Sequence, residues 1–239
     1  MEIEINWFRA FFNFSEGINW FVMAYLLVMW SWLTVPFKWL AAYFMLATLG
    51  VAISNSVYIF FDLNNRFYFH LETPIQFILL SMIFYVIIES AFIKRVIMVL
   101  NILFSIFSVI NAIYIESFWY SSPSIPETIL HVAVISYSIY FIFNLYITNS
   151  VKVLNEETNI VLVLSLFFYF SSTLVLSMTD NFLGMGYKME IHNLYYTIVC
   201  FMWIIHIGGI MYALRIIYKD NIGQKTNDFS AKNLDEIPF

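Results

Sequence analysis

Long apolar runs alternate along this chain with short polar punctuation. Seven runs, near 18–35, 39–61, 73–93, 96–118, 127–149, 158–178 and 192–218, reach the roughly 20 residues that a helix needs to cross the hydrocarbon of a bilayer. The breaks between them are chemically sensible. Pro36 and Lys38 mark the first turn, and Asp62, Asn64, Asn65 and Arg66 break the second run. Thr73-Pro74 is read as the opening of the third span, because proline is tolerated in a first helical turn. Lys94-Arg95 separates the third run from the fourth, and a Ser/Pro cluster over 121–126 separates the fourth from the fifth. Asn155, Glu156 and Glu157 precede the sixth, and the longest loop, 180–190, carries Gly184 and Gly186.

The pattern predicts an all-α, polytopic membrane fold of seven transmembrane helices in three parts. Residues 1–17 mix Trp7, Phe8, Phe11, Phe12 and Phe14 with Glu4, Arg9 and Asn13, as a short interfacial helix would. Residues 18–218 form the seven-helix domain, and 219–239 form a polar tail expected to be disordered. The start is acidic and lacks the basic flank and cleavage site of a signal peptide.

Composition sharpens this reading. The chain is 62% hydrophobic and 11% charged, against about a quarter charged in a soluble domain, so its solvent is lipid. No Gly/Ser/Pro-rich linker divides it. The single cysteine, Cys200, lies in the last apolar run, which excludes an internal disulfide or a cysteine cluster. A net charge of −5 argues against nucleic acid as a partner.

Charge also gives a direction. Counting loops alternately, Lys38, Lys94, Arg95, Lys152, Arg215, Lys219, Lys225 and Lys232 fall on one side, and only Arg9, Arg66 and Lys188 on the other. The positive-inside rule then places the N-terminus outside and the C-terminus in the cytoplasm. Trp7, Trp20, Trp39 and Trp119 fall near span ends, as aromatic belts do.

Polar groups within the runs are the candidates for chemistry, because each costs free energy in lipid unless it faces the bundle or water. Asn101, Ser105, Ser108 and Asn111 share one face of the fourth span, and Ser165, Tyr169, Ser172 and Thr173 one face of the sixth. Such stripes serve interhelical hydrogen bonding or line a cavity. Asn55 shares a face of the second span with Asp62, Glu89 is the one carboxylate placed within a span, and His206 sits mid-membrane beside Gly208-Gly209, where a neighbouring helix can approach.

The outer span ends gather Asp62, His70, Glu72, Gln76, Glu116, Glu127, His131, Asp180, Glu190 and His192. Glu72 with Gln76, and Glu127 with His131, are four apart, so each pair faces one direction. Imidazoles with carboxylates suit a metal site, a pH sensor or a vestibule for a cationic ligand. No HxxxH or HExxH pattern fixes a metal. No GxSxG elbow, Walker A loop or Rossmann glycine pattern implies a cofactor or a nucleophile.

Two seven-span families are tested by their own residues. The seventh run, LYYTIVCFMWIIHIGGIMYALRIIY, has no lysine, so it lacks the Schiff-base site of retinal proteins. His192 and His206 are 14 residues apart, about 21 Å along a helix, so they cannot grip one ion as the paired histidines of seven-span zinc hydrolases do. The stretches NNRFYFHLETPIQFILL and LFFYFSSTLVL resemble multi-pass integral membrane proteins of the Bacteroidota. That resemblance loosely covers spans two to six and implies a bacterial inner-membrane location, but it brings no activity. The leading expectation is a binding protein with a polar outer vestibule, either a receptor-like sensor or an accessory subunit. Its partners would be the lipid bilayer and a membrane protein or a second copy. A small-solute or ion transporter and a membrane-embedded metal-dependent hydrolase are the alternatives.

Overall fold

The structure is a computed structural model that describes residues 7–61, 66–119, 121–148, 154–183 and 189–235. Several side chains on its helices lie outside the described part, among them Asn55, Asp180, Glu190 and His192. Seven helices follow one another: α1 (Trp7–Val28), α2 (Val35–Phe61), α3 (Arg66–Ile87), α4 (Ala91–Tyr114), α5 (Ser124–Thr148), α6 (Leu154–Leu183) and α7 (Met189–Asp235). From α2 to α7, six helices are long and apolar enough to cross a membrane, and α1 carries a shorter apolar stretch, Gly17–Val28. Large apolar side chains such as Phe60, Phe92, Ile113 and Val28 stand outward and exposed. In water that surface would be untenable, so this is a multi-pass helical membrane protein.

Helix ends depart from the sequence reading where capping and proline chemistry act. α3 starts at Arg66 and Pro74 lies inside it. Proline lacks the N–H that would bond the His70 carbonyl one turn back. One residue earlier, Thr73 Oγ1 donates to the Phe69 carbonyl at 2.8 Å. At the other end of α3 the helix stops at Ile87, and Ser90 accepts from the Ile93 N–H at 3.5 Å to cap α4. Glu89, expected within the third span, therefore stands exposed in the link 88–90. The N-terminal segment is continuous with α1 from Trp7 instead of forming a separate interfacial helix. The tail, expected to be disordered from residue 219, continues α7 to Asp235.

Short links make sequential helices antiparallel. We call the half that holds the α2–α3, α4–α5 and α6–α7 links upper, and the other half lower. The main packed pairs are α1–α2, α2–α3, α3–α5, α5–α6, α6–α7 and α7–α1, which close a ring of six helices. α4 packs from outside against α3 and α5. Its inward face is the polar stripe, with Asn101, Ser108 and Asn111 buried beside Ile97 and Phe104. Phe104 stacks on Phe77 of α3 with centroids 3.9 Å apart.

Two glycines permit close helix approach. A Cβ on Gly209 would come within 2.9 Å of Ser165 Cβ, so α7 and α6 touch almost backbone to backbone there, whereas Gly208 meets nothing within 4 Å. At Gly50 the Tyr68 ring of α3 crosses the space a side chain would fill, and its hydroxyl donates weakly to the Leu46 carbonyl at 3.4 Å.

Apolar side chains pack the lower half. Leu26, Phe37, Leu40, Phe84, Ile97, Leu162, Leu166 and Ile210 are all fully buried there. Its rim carries cation–aromatic pairs, with Lys38 Nζ 5.9 Å from the Trp30 ring and Lys94 Nζ 5.5 Å from Tyr85. Trp32 and Tyr218, 5.3 Å apart, join the α1–α2 link to α7.

Candidate functional site

The upper half holds a cavity of about 350 Å³. Every helix of the ring contributes to its wall, and α4 contributes nothing. From α3 come Phe69, Glu72, Thr73 and Gln76; from α5, Glu127 and His131. Asn19 of α1, Tyr43, Ala47 and Val51 of α2, Tyr169 and Phe170 of α6, and Val199, Cys200 and Trp203 of α7 complete it.

Both pairs spaced four apart thus turn onto the same space. Gln76 Nε2 donates to Glu72 Oε1 at 2.7 Å, a bond that the spacing on α3 makes natural. Glu72 is 5% exposed, and its other oxygen has no hydrogen-bond donor among the described residues. Glu127 and His131 sit one turn apart on α5, and the His131 ring lies 5.2 Å from Phe170.

The floor is aromatic. The His206 ring lies near-parallel to Tyr169 at 5.2 Å and to Phe44 at 6.2 Å, with Trp203 also 5.2 Å away. At 1% exposure it is sealed from the cavity by those rings. Its nitrogens reach only the Ser165 backbone, at a geometry too poor for a full hydrogen bond. A ring held this way works as packing, and it closes the cavity toward the lower half.

Other expected site residues go elsewhere. His70 is buried but turns away from the cavity, and its Nε2–H donates to the Ser121 carbonyl at 3.0 Å while its ring rests 5.7 Å from Phe118. It ties α3 to the α4–α5 link. Asn111 Nδ2 donates to Glu116 Oε2 at 2.6 Å, and Ser124 Oγ donates to Glu116 Oε1, also at 2.6 Å. The Ile125 N–H reaches the same oxygen at 3.3 Å. Glu116 is therefore the keystone of the α4–α5 corner, and it caps the start of α5. Asn101 is buried on α4 against α3 and α5, away from the cavity, with its Oδ1 unpartnered. Asp62 lies outside the described residues, and Asn55, Asp180 and His192 lie on α2, α6 and α7 with side chains outside the described part. Among the described residues no three His, Cys, Asp or Glu groups stand close enough to hold a metal ion.

The wall also holds residues that sequence reasoning did not single out as a site. Tyr43 and Trp203 are mid-span aromatics, away from the interfacial belts where such residues gather, and that displacement was their signal. Tyr169 did stand in the polar stripe of the sixth span. Asn19 and Cys200 gave no signal beyond lying in apolar runs. Comparison with protein-family models, with curated proteins and with solved structures gives no match to this chain.

Proposed function

We propose that the chain is an integral membrane binding protein of a bacterial inner membrane. In this reading it crosses seven times, with its N-terminus outside and its C-terminus in the cytoplasm, and takes a small ligand into the upper cavity from the outer side. It acts as a receptor-like sensor or as an accessory subunit of a membrane complex. The eight-to-three asymmetry of basic residues supports this direction, since it puts the upper half outside.

The observation that carries binding over passage is the packed apolar layer beneath the cavity. A transport path needs polar groups or water through both halves. Here the Glu72–Gln76 and Glu127–His131 pairs end on an aromatic floor, and fully buried Phe37, Leu40, Leu162 and Leu166 follow below it. Glu89, the one carboxylate that could continue a path, is exposed at the far end.

Cys200 is the only cysteine and lines the cavity, so it reports directly on access. A small membrane-impermeant thiol reagent should modify it in right-side-out vesicles and spare it in inverted ones. Labelling from both faces would indicate a path through the molecule and defeat the binding reading. Labelling from the inner face alone would reverse the orientation.

A further inference from the structure

The cavity's chemistry selects among ligands. Among the described residues two carboxyl side chains, Glu72 and Glu127, line it, and no Lys or Arg does. One Glu72 oxygen is engaged by Gln76 and the other meets no protein donor among the described residues, although the side chain is 5% exposed. A buried carboxylate with a free oxygen is costly unless a cation or donor completes it. The rings of Tyr43, Tyr169 and Trp203 share the lining, and aromatic rings attract cations and are poor surroundings for anions. A bare divalent ion is disfavoured, because no three metal-ligating side chains converge among the described residues. At about 350 Å³ the space lies at the small end of ligand pockets and suits a molecule of modest size.

Resting on the reading of this cavity as a ligand site, we infer that its ligand is a small organic ammonium ion. Its charged head sits between the Glu72 and Glu127 carboxyls, and its alkyl substituents lie on the Tyr43, Tyr169 and Trp203 faces. Gln76 holds the Glu72 carboxyl in place, and His131 offers a further polar contact one turn below Glu127.

Cys200 makes this measurable in the full-length protein in lipid nanodiscs. Its modification rates with trimethylammonioethyl, sulfonatoethyl and methyl methanethiosulfonate are each divided by the rate for a free small thiol. The cationic reagent should be favoured over the anionic one by about tenfold or more, the size of a desolvated cation–aromatic contact. Glu72→Gln and Glu127→Gln should each reduce that preference, and choline should slow the labelling where its uncharged carbon isostere, dimethylbutanol, does not. If the neutral reagent labels readily but charge makes no difference, or the anion is preferred, the ammonium assignment is wrong and the cavity remains a ligand site of another kind. If no reagent reaches Cys200, the cavity is closed to solutes and both readings fall. The wild-type charge preference decides the matter even if a glutamate variant does not fold.

Discussion

At Gly209, α6 and α7 approach closely. A methyl group there would overlap Ser165 Cβ, an atom fixed to the α6 backbone that cannot swing aside, so the helices must part. Gly209→Ala should destabilise the protein by about 1–3 kcal/mol, as overpacking of a tight contact does. Gly208→Ala, with nothing within 4 Å, should leave the melting temperature unchanged or raise it slightly. Thermal unfolding of both variants in detergent separates a true contact from general glycine sensitivity, and equal behaviour would refute the contact. His70 and Glu72 teach a related lesson. Both are polar and near each other in sequence, which invites grouping them as one loop-end pair. Once α3 starts at Arg66 they sit on a helix, two residues and therefore about 200° apart. One turns to the Ser121 carbonyl and the other to the cavity. The Glu72–Gln76 and Glu127–His131 pairings were legible because their spacing keeps one direction on any helix. That the two directions meet depends on how α3 and α5 pack, which no local pattern encodes.

At the scale of elements, the α4–α5 corner is tied by a set of polar bonds to Glu116. Glu116→Ala would leave the Asn111 amide and the Ser124 hydroxyl without their acceptor in a buried place. The expected cost is about 3 kcal/mol, read as a lower melting temperature together with faster hydrogen exchange in the first turns of α5. An unchanged exchange rate there would remove Glu116 from the capping role. The same corner explains why the polar stripe of α4 was only half legible. Its inward direction follows from spacing, but α4 lies outside the ring, so Asn101, Ser108 and Asn111 face α3 and α5 instead of the cavity. The helix ends were less legible still. The polar stretch ahead of Pro74 looks like a loop and forms the first turns of α3, because a helix at its polar end keeps its backbone bonded where irregular chain would not. The helix break capped by Ser90 puts Glu89 in the α3–α4 link and not in the third helix.

For the whole molecule, composition and run length made the class plain, since lipid is the only solvent in which such a surface is stable. Direction is a separate matter that rests on charge alone. Fusing a reporter to the C-terminus should give a fluorescent cytoplasmic protein and an inactive periplasmic phosphatase, and the opposite result would invert the topology. A change at the cavity should act without unfolding the ring. Glu127→Ala with His131→Ala removes two polar groups from one wall, so it should abolish choline protection of Cys200 while the protein still inserts and purifies as the wild type does. Failure of that variant to accumulate would make the pair part of the scaffold.

The ring of six helices closes through the seam between α1 and α7, and α7 is synthesised after all the others described. A chain still on the ribosome, with six helices delivered, has no such seam, no Trp203 and no Cys200. Glu72 and Glu127 then face lipid or a translocation partner instead of a walled chamber. The cavity thus takes form only when α7 docks onto the six helices before it. Truncation within that helix should leave a product that membrane proteases recognise by its stranded carboxylates.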